Sequence, residues 1–176
     1  MSAKIIKLIV TTLAIMTVAI YLSAVPQVQK IISPEDKITE QEKPVTPSAQ
    51  IADSEFQITQ SGFILKGQNT TLPKLYLPGD IKVQEGQLVE DKNIVFAANL
   101  AALTSKTDFH PASIRLLAKN EVALYETDQT VAIFSSEKSP DVQVDSLQQV
   151  LAAAKIEGTK LAKIDLRYNK PTITFK

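Results

Sequence analysis

Hydrophobic and polar residues change their spacing along this chain, and each change marks a segment with a different physical fate. Leu8 to Val25 (LIVTTLAIMTVAIYLSAV) carries no charge over 18 residues. As a helix rising ~1.5 Å per residue, that run just reaches across a bilayer core of about 30 Å. Lys4 and Lys7 stand in front of it without an acid. This predicts a cytoplasmic tail over 1–7, a transmembrane helix over 8–25 and export of everything beyond. A cleaved signal peptide is the alternative, with Leu8–Tyr21 as its apolar core and Leu22-Ser23-Ala24 ahead of the cut. From Pro26 to Ser54 no apolar period survives, and Pro26, Pro34, Pro44 and Pro47 stand among Glu, Gln, Lys, Ser and Thr. Such a stretch buries too little surface to offset its ordering entropy, so it reads as a disordered Pro-rich linker over 26–54.

Residues 55–176 alternate between strand and helix signals. Glu55–Thr59 and Phe63–Lys66 flank the Ser61-Gly62 turn and predict a hairpin. Thr71–Leu77 is extended, with Pro73 marking an edge or a strand start and Pro78-Gly79-Asp80 ending it. Ile94, Ala97, Ala98, Ala101 and Leu103 or Thr104 recur at helical spacing and predict a helix from Asp91 to Ser105, with Glu90 or Asp91 at its start. Ser113–Ala118, Val122–Glu126 and Thr130–Ser135 read as a meander. Period two makes Ile114, Leu116, Val122, Leu124, Val131 and Ile133 the inward set. Asp145 followed by Gln148 reads as a capping box, and Leu147, Val150, Leu151 and Ala154 form one apolar stripe ending at Gly158. Leu161–Tyr168 and Thr172–Phe175 are the last β-runs. The sum is an α+β fold: an antiparallel sheet with two helices packed on one face.

Composition narrows the chemistry. Lys+Arg and Asp+Glu are 19 each, for a net charge of zero, so there is no basic excess to neutralise nucleic-acid phosphates. Cysteine is absent, so no disulfide framework or thiolate site exists. His110 is the sole histidine and precedes Pro111, with no second ligand at metal spacing. Ser135-Ser136-Glu137-Lys138 matches the S-x-x-K pattern of penicillin-interacting serine enzymes, but their S-D-N and K-T-G elements are missing. No catalytic residue, metal ligand, cofactor site or small-molecule substrate site is expected.

The ordered pieces Gln57-Ile58-Thr59-Gln60-Ser61-Gly62-Phe63-Ile64, Leu72-Pro73, helix, meander, second helix and Ile164-Asp165-Leu166-Arg167-Tyr168 carry a resemblance. From Glu55 to Lys176 the chain resembles the β-domain of FtsQ/DivIB, the bitopic bacterial cell-division proteins. It departs from them before Glu55, where the Pro-rich stretch occupies the place of their POTRA domain. The resemblance implies a single-pass protein of the bacterial cell membrane with its C-terminal domain outside at the septum. It also implies a non-enzymatic scaffold that binds bitopic division proteins of the FtsB/FtsL (DivIC-like) kind. The implied partner surface is Tyr168, Pro171, Thr172, Ile173, Thr174 and Phe175, used as a strand edge. Asp165 and Arg167 share a strand face by period two and would orient the last strand. The alternatives are an exported binding module unrelated to division and, last, an anchored hydrolase using Ser135 or Ser136 with Lys138.

Overall fold

The computed structural model describes residues 45–176. The expected tail, membrane span and most of the linker lie outside the described residues. No helix among the described residues is long and apolar enough to cross a membrane.

The elements run in chain order as β1 (Pro47–Ile51), β2 (Phe56–Thr59), β3 (Ile64–Lys66), β4 (Lys74–Tyr76), α1 (Lys92–Thr104), β5 (Ser113–Ala118), β6 (Glu121–Tyr125), β7 (Val131–Ser135), α2 (Pro140–Glu157), β8 (Leu161–Asp165) and β9 (Thr172–Phe175). The nine strands of the described residues join one sheet in the order β3-β2-β1-β4-β5-β6-β7-β8-β9. The α+β class stands, but the sheet is mixed rather than antiparallel: β1 pairs β4, β4 pairs β5 and β7 pairs β8 in parallel. The reason is connectivity. The tight turns at Gly62, Asn120 and Gln129 return the chain antiparallel. The α1 and α2 segments carry it across between β4 and β5 and between β7 and β8, while β1 and β4 become parallel neighbours after the β2–β3 hairpin.

Three further expectations change. The linker ends earlier, because Pro47–Ile51 is a strand; its polar side chains find backbone partners, with Ser48 Oγ donating to the Ile58 carbonyl (3.1 Å) and Gln50 Nε2 to that of Phe56 (2.9 Å). Helix α2 begins before Asp145, at Pro140 with Ser139 as N-cap. Proline at the first helical position and Asp141 in the first turn are a stronger start signal than the internal Asp145. In β7 the inward pair is Ala132 and Phe134, not Val131 and Ile133, because Phe134 stands opposite Val122 and Ala132 opposite Leu124.

The β-run expected over Leu161–Tyr168 ends at Asp165, and the Asp91 cap, the Gly158 stop and the first turn hold. Asp91 caps α1, its Oδ1 accepting from the N–H groups of Asn93 (2.8 Å) and Ile94 (3.2 Å). Gly158 ends α2 at φ 66°. Gly62 turns the first hairpin at φ 89°, where an added Cβ would lie 2.8 Å from the Val95 side chain. Both helices lay their buried faces into one core. Ile94, Leu100 and Leu147 meet Ile58, Ile64, Leu75, Ile114, Leu124, Phe134 and Ile164 there, all fully buried. Burying each such aliphatic side chain is worth ~1.5–3 kcal/mol. The opposite sheet face carries Tyr76, Arg115, Tyr125, Ile133, Lys163 and Asp165.

Candidate partner-binding edge

The two ends of the sheet are finished differently. At β3 the segment after β4 folds back over the outer side: Ile64 N–H donates to Gln87 O (2.9 Å), Gly86 N–H to Ile64 O (3.0 Å) and Val89 N–H to Gly62 O (3.0 Å). Phe63 and Leu88 also form a bridge. That edge is covered. At the other end β9 pairs only with β8, and every residue of Thr172–Phe175 is exposed.

The hydrogen-bond alternation along β9 follows from its last link. Lys176 N–H donates to Lys160 O at 3.0 Å. Counting back by two, Thr174 and Thr172 turn their N–H groups toward β8, while Phe175 and Ile173 turn theirs outward. Pro171 lacks an N–H but precedes the strand, so it leaves this ladder intact. Lys176 also pins the strand's end, its Nζ donating to the Asp128 carbonyl (2.8 Å) and to Asp128 Oδ2 (2.7 Å). The bond from Lys176 holds the Asp128 carboxyl down at about 2.

Beside the open edge runs a groove of about 450 Å³ between α2 and β9, lined by Val150, Ala153, Leu161, Ile173 and Phe175 among apolar residues and by Gln149, Glu157 and Asn169 among polar ones. Phe175 is 56% exposed and Ile173 37%. Tyr168 sits not on β9 but in the connection before it, 61% exposed, near Val142 and Pro171. The expected site residues therefore gather at one end of the molecule: four on the strand, two in the turn that leads into it.

Asp165 ends β8 and Arg167 lies in the connection after it rather than on the same strand, yet the two side chains are joined. Arg167 donates through Nε to Asp165 Oδ1 (2.9 Å) and through Nη2 to Oδ2 (2.6 Å). Its Nη1 donates to Glu121 Oε1 at 2.6 Å. These bonds outweigh the burial of Asp165 and hold its carboxyl below the ordinary range; the same bonds raise the Arg167 guanidinium. The cluster clamps the β8–β9 connection against β6. Sequence reasoning missed Glu121, which lies 46 residues away and carries no motif.

The S-x-x-K residues do not converge on each other. Ser135 Oγ accepts from the Glu137 N–H (3.3 Å), Ser136 Oγ is bonded to Asn93 Oδ1 (2.7 Å) and Lys138 Nζ to Asn169 Oδ1 (3.5 Å). His110 is exposed, and its backbone N–H donates to Glu126 Oε1 (2.9 Å); burial raises that carboxyl. Among the described residues no group of His, Asp and Glu side chains is arranged to hold a metal ion. No protein-family model matches the chain, and no curated protein matches it in sequence.

Proposed function

We propose that this protein is a membrane-anchored scaffold of bacterial cell division, resembling FtsQ/DivIB in its exported domain, that binds bitopic partners of the FtsB/FtsL kind by strand addition to β9. The carrying observation is the asymmetry of the sheet: one edge is covered by the chain's own backbone, and the other is left open beside a partly apolar groove. Strand addition takes affinity from the outward N–H and C=O groups of Ile173 and Phe175, and selectivity from side chains seated in the groove. The anchor expected at 8–25 would confine the domain to the plane of its partners and raise their effective concentration.

The test is Ile173→Pro in the full chain, expressed with its candidate partners. The substitution removes an outward N–H and spares the pairs with β8, so the melting curve stays unchanged while co-purification is lost. Undiminished capture by the folded variant refutes the edge reading.

A further inference from the structure

Arg115 and Arg167 are the only arginines in the chain. Both stand on the helix-free face of the sheet, and their surroundings are opposite. Arg167 is committed to carboxylates, with Nε, Nη1 and Nη2 each donating to a carboxylate oxygen, and its guanidinium carbon also lies 5.6 Å from the Tyr168 ring. Arg115 is exposed and, among the described residues, meets no carboxylate and no hydrogen-bond acceptor. Two rings hold it instead. Its guanidinium carbon lies 4.9 Å from the centroid of Tyr76 and 5.9 Å from that of Tyr125. Tyr76 is its direct cross-strand partner on β4, and Tyr125 lies diagonal to it on β6.

An unheld arginine loses rotamer freedom when a ligand fixes it. Stacking against the rings removes part of that cost in advance and leaves the planar N–H fork unused. Neither β4 nor β5 contains an acidic residue, and Lys74 on β4 adds a second exposed cation. The unopposed charge calls for an anion, and the fork matches a carboxylate bidentately. Tyr76 and Leu117, 37% and 46% exposed, give it an apolar rim. Tyrosine and arginine are the residue types that concentrate binding energy at protein interfaces. Two cations are too few for a lipid surface, which takes clusters of about 4–8.

We infer that Tyr76, Arg115 and Tyr125 form a second docking site, on the open sheet face, that receives an Asp or Glu side chain from an extended segment of a partner protein. Four strand spacings separate β5 from β9, roughly 19 Å at ~4.8 Å each, so the site is distinct from the strand edge and does not depend on it.

With two arginines, the isotope-labelled full chain in zwitterionic micelles gives two Arg Nε–H resonances, assigned with Arg115→Lys. Titration with the peptide acetyl-Ser-Glu-Leu-Glu-Ser-amide should shift the Arg115 resonance and leave that of Arg167 in place. The Gln-for-Glu peptide should shift neither. Arg115→Ala should weaken the peptide about tenfold, and Tyr76→Ala should weaken it while leaving the charge intact. Four results overturn the proposal: no shift at Arg115, equal shifts at both arginines, an equal response to acetate at matched carboxylate, or a response to phosphatidylglycerol vesicles without one to the peptide.

Discussion

Asp165 is almost wholly buried, at 4% exposure, and it keeps its charge because Arg167 reaches it with two donors. A carboxyl whose folded pKa lies below its unfolded value adds stability that is complete above about pH 5 and lost as the pH falls through the folded value. Arg167→Ala removes both side-chain donors and leaves the buried carboxylate with the backbone N–H of residue 167, at 3.3 Å, and Lys163, at 3.5 Å. The expected cost at neutral pH is ~3 kcal/mol, read as a fall in melting temperature on the order of 10 °C. The gap between variant and parent should narrow as the pH falls and close only below the lowered folded value of the parent's Asp165, where that carboxyl is protonated in both. A gap independent of pH would place the Arg167 contribution in packing instead. The sequence pointed to the Asp165–Arg167 contact for a reason the structure does not share: period two put both on one strand face, whereas β8 ends at Asp165 and Arg167 bonds back to it from the following connection. Glu121 was not legible, since its place opposite Arg167 depends on β6, β7 and β8 lying side by side.

At the scale of elements, sequence pattern located the helices and most strands but not how they are joined. The α1 stripe of Ile94, Ala97, Ala98 and Ala101 is buried as its spacing requires. Each helix supplies the crossover that a parallel pair needs, but a helix between two strands does not by itself say that they pair or in which direction, so the parallel pairs β4/β5 and β7/β8 could not be read from the pattern. The β7 run Val131-Ala132-Ile133-Phe134 is apolar throughout, so period two had no contrast to register. The early start of α2 was hidden in a Ser- and Lys-rich run. There Gln143, one turn into the helix, staples it to β7: its Oε1 accepts from Ser135 N–H and its Nε2 donates to Ser135 O, both at 2.9 Å. Gln143→Leu roughly keeps the volume and orphans the Ser135 N–H, while the Ser135 carbonyl keeps the Lys138 N–H at 3.2 Å, a cost of ~1–3 kcal/mol. Hydrogen exchange at the Ser135 amide should speed up with the loss of stability. Unchanged exchange would show that the staple is dispensable.

For the molecule as a whole, an open edge is a hazard that proteins usually blunt with charges, bulges or a cover. This sheet does so at β3 and not at β9. The bulge lies on β8 at Leu161/Lys163 rather than on the edge strand, and Thr172, Ile173, Thr174 and Phe175 carry no charge between Pro171 and Lys176. Where another polypeptide normally occupies the edge, the unblunted row has a use; without that occupant it remains adhesive toward any extended backbone, a second copy included. The full chain purified alone should therefore self-associate as its concentration rises. Phe175→Lys places a charge on the edge at a side chain already 56% exposed. Sedimentation should then give a monomer at concentrations where the parent associates, at little cost to folding. If the parent stays monomeric throughout, the row is already protected in the isolated protein, and binding through β9 would first require uncovering it.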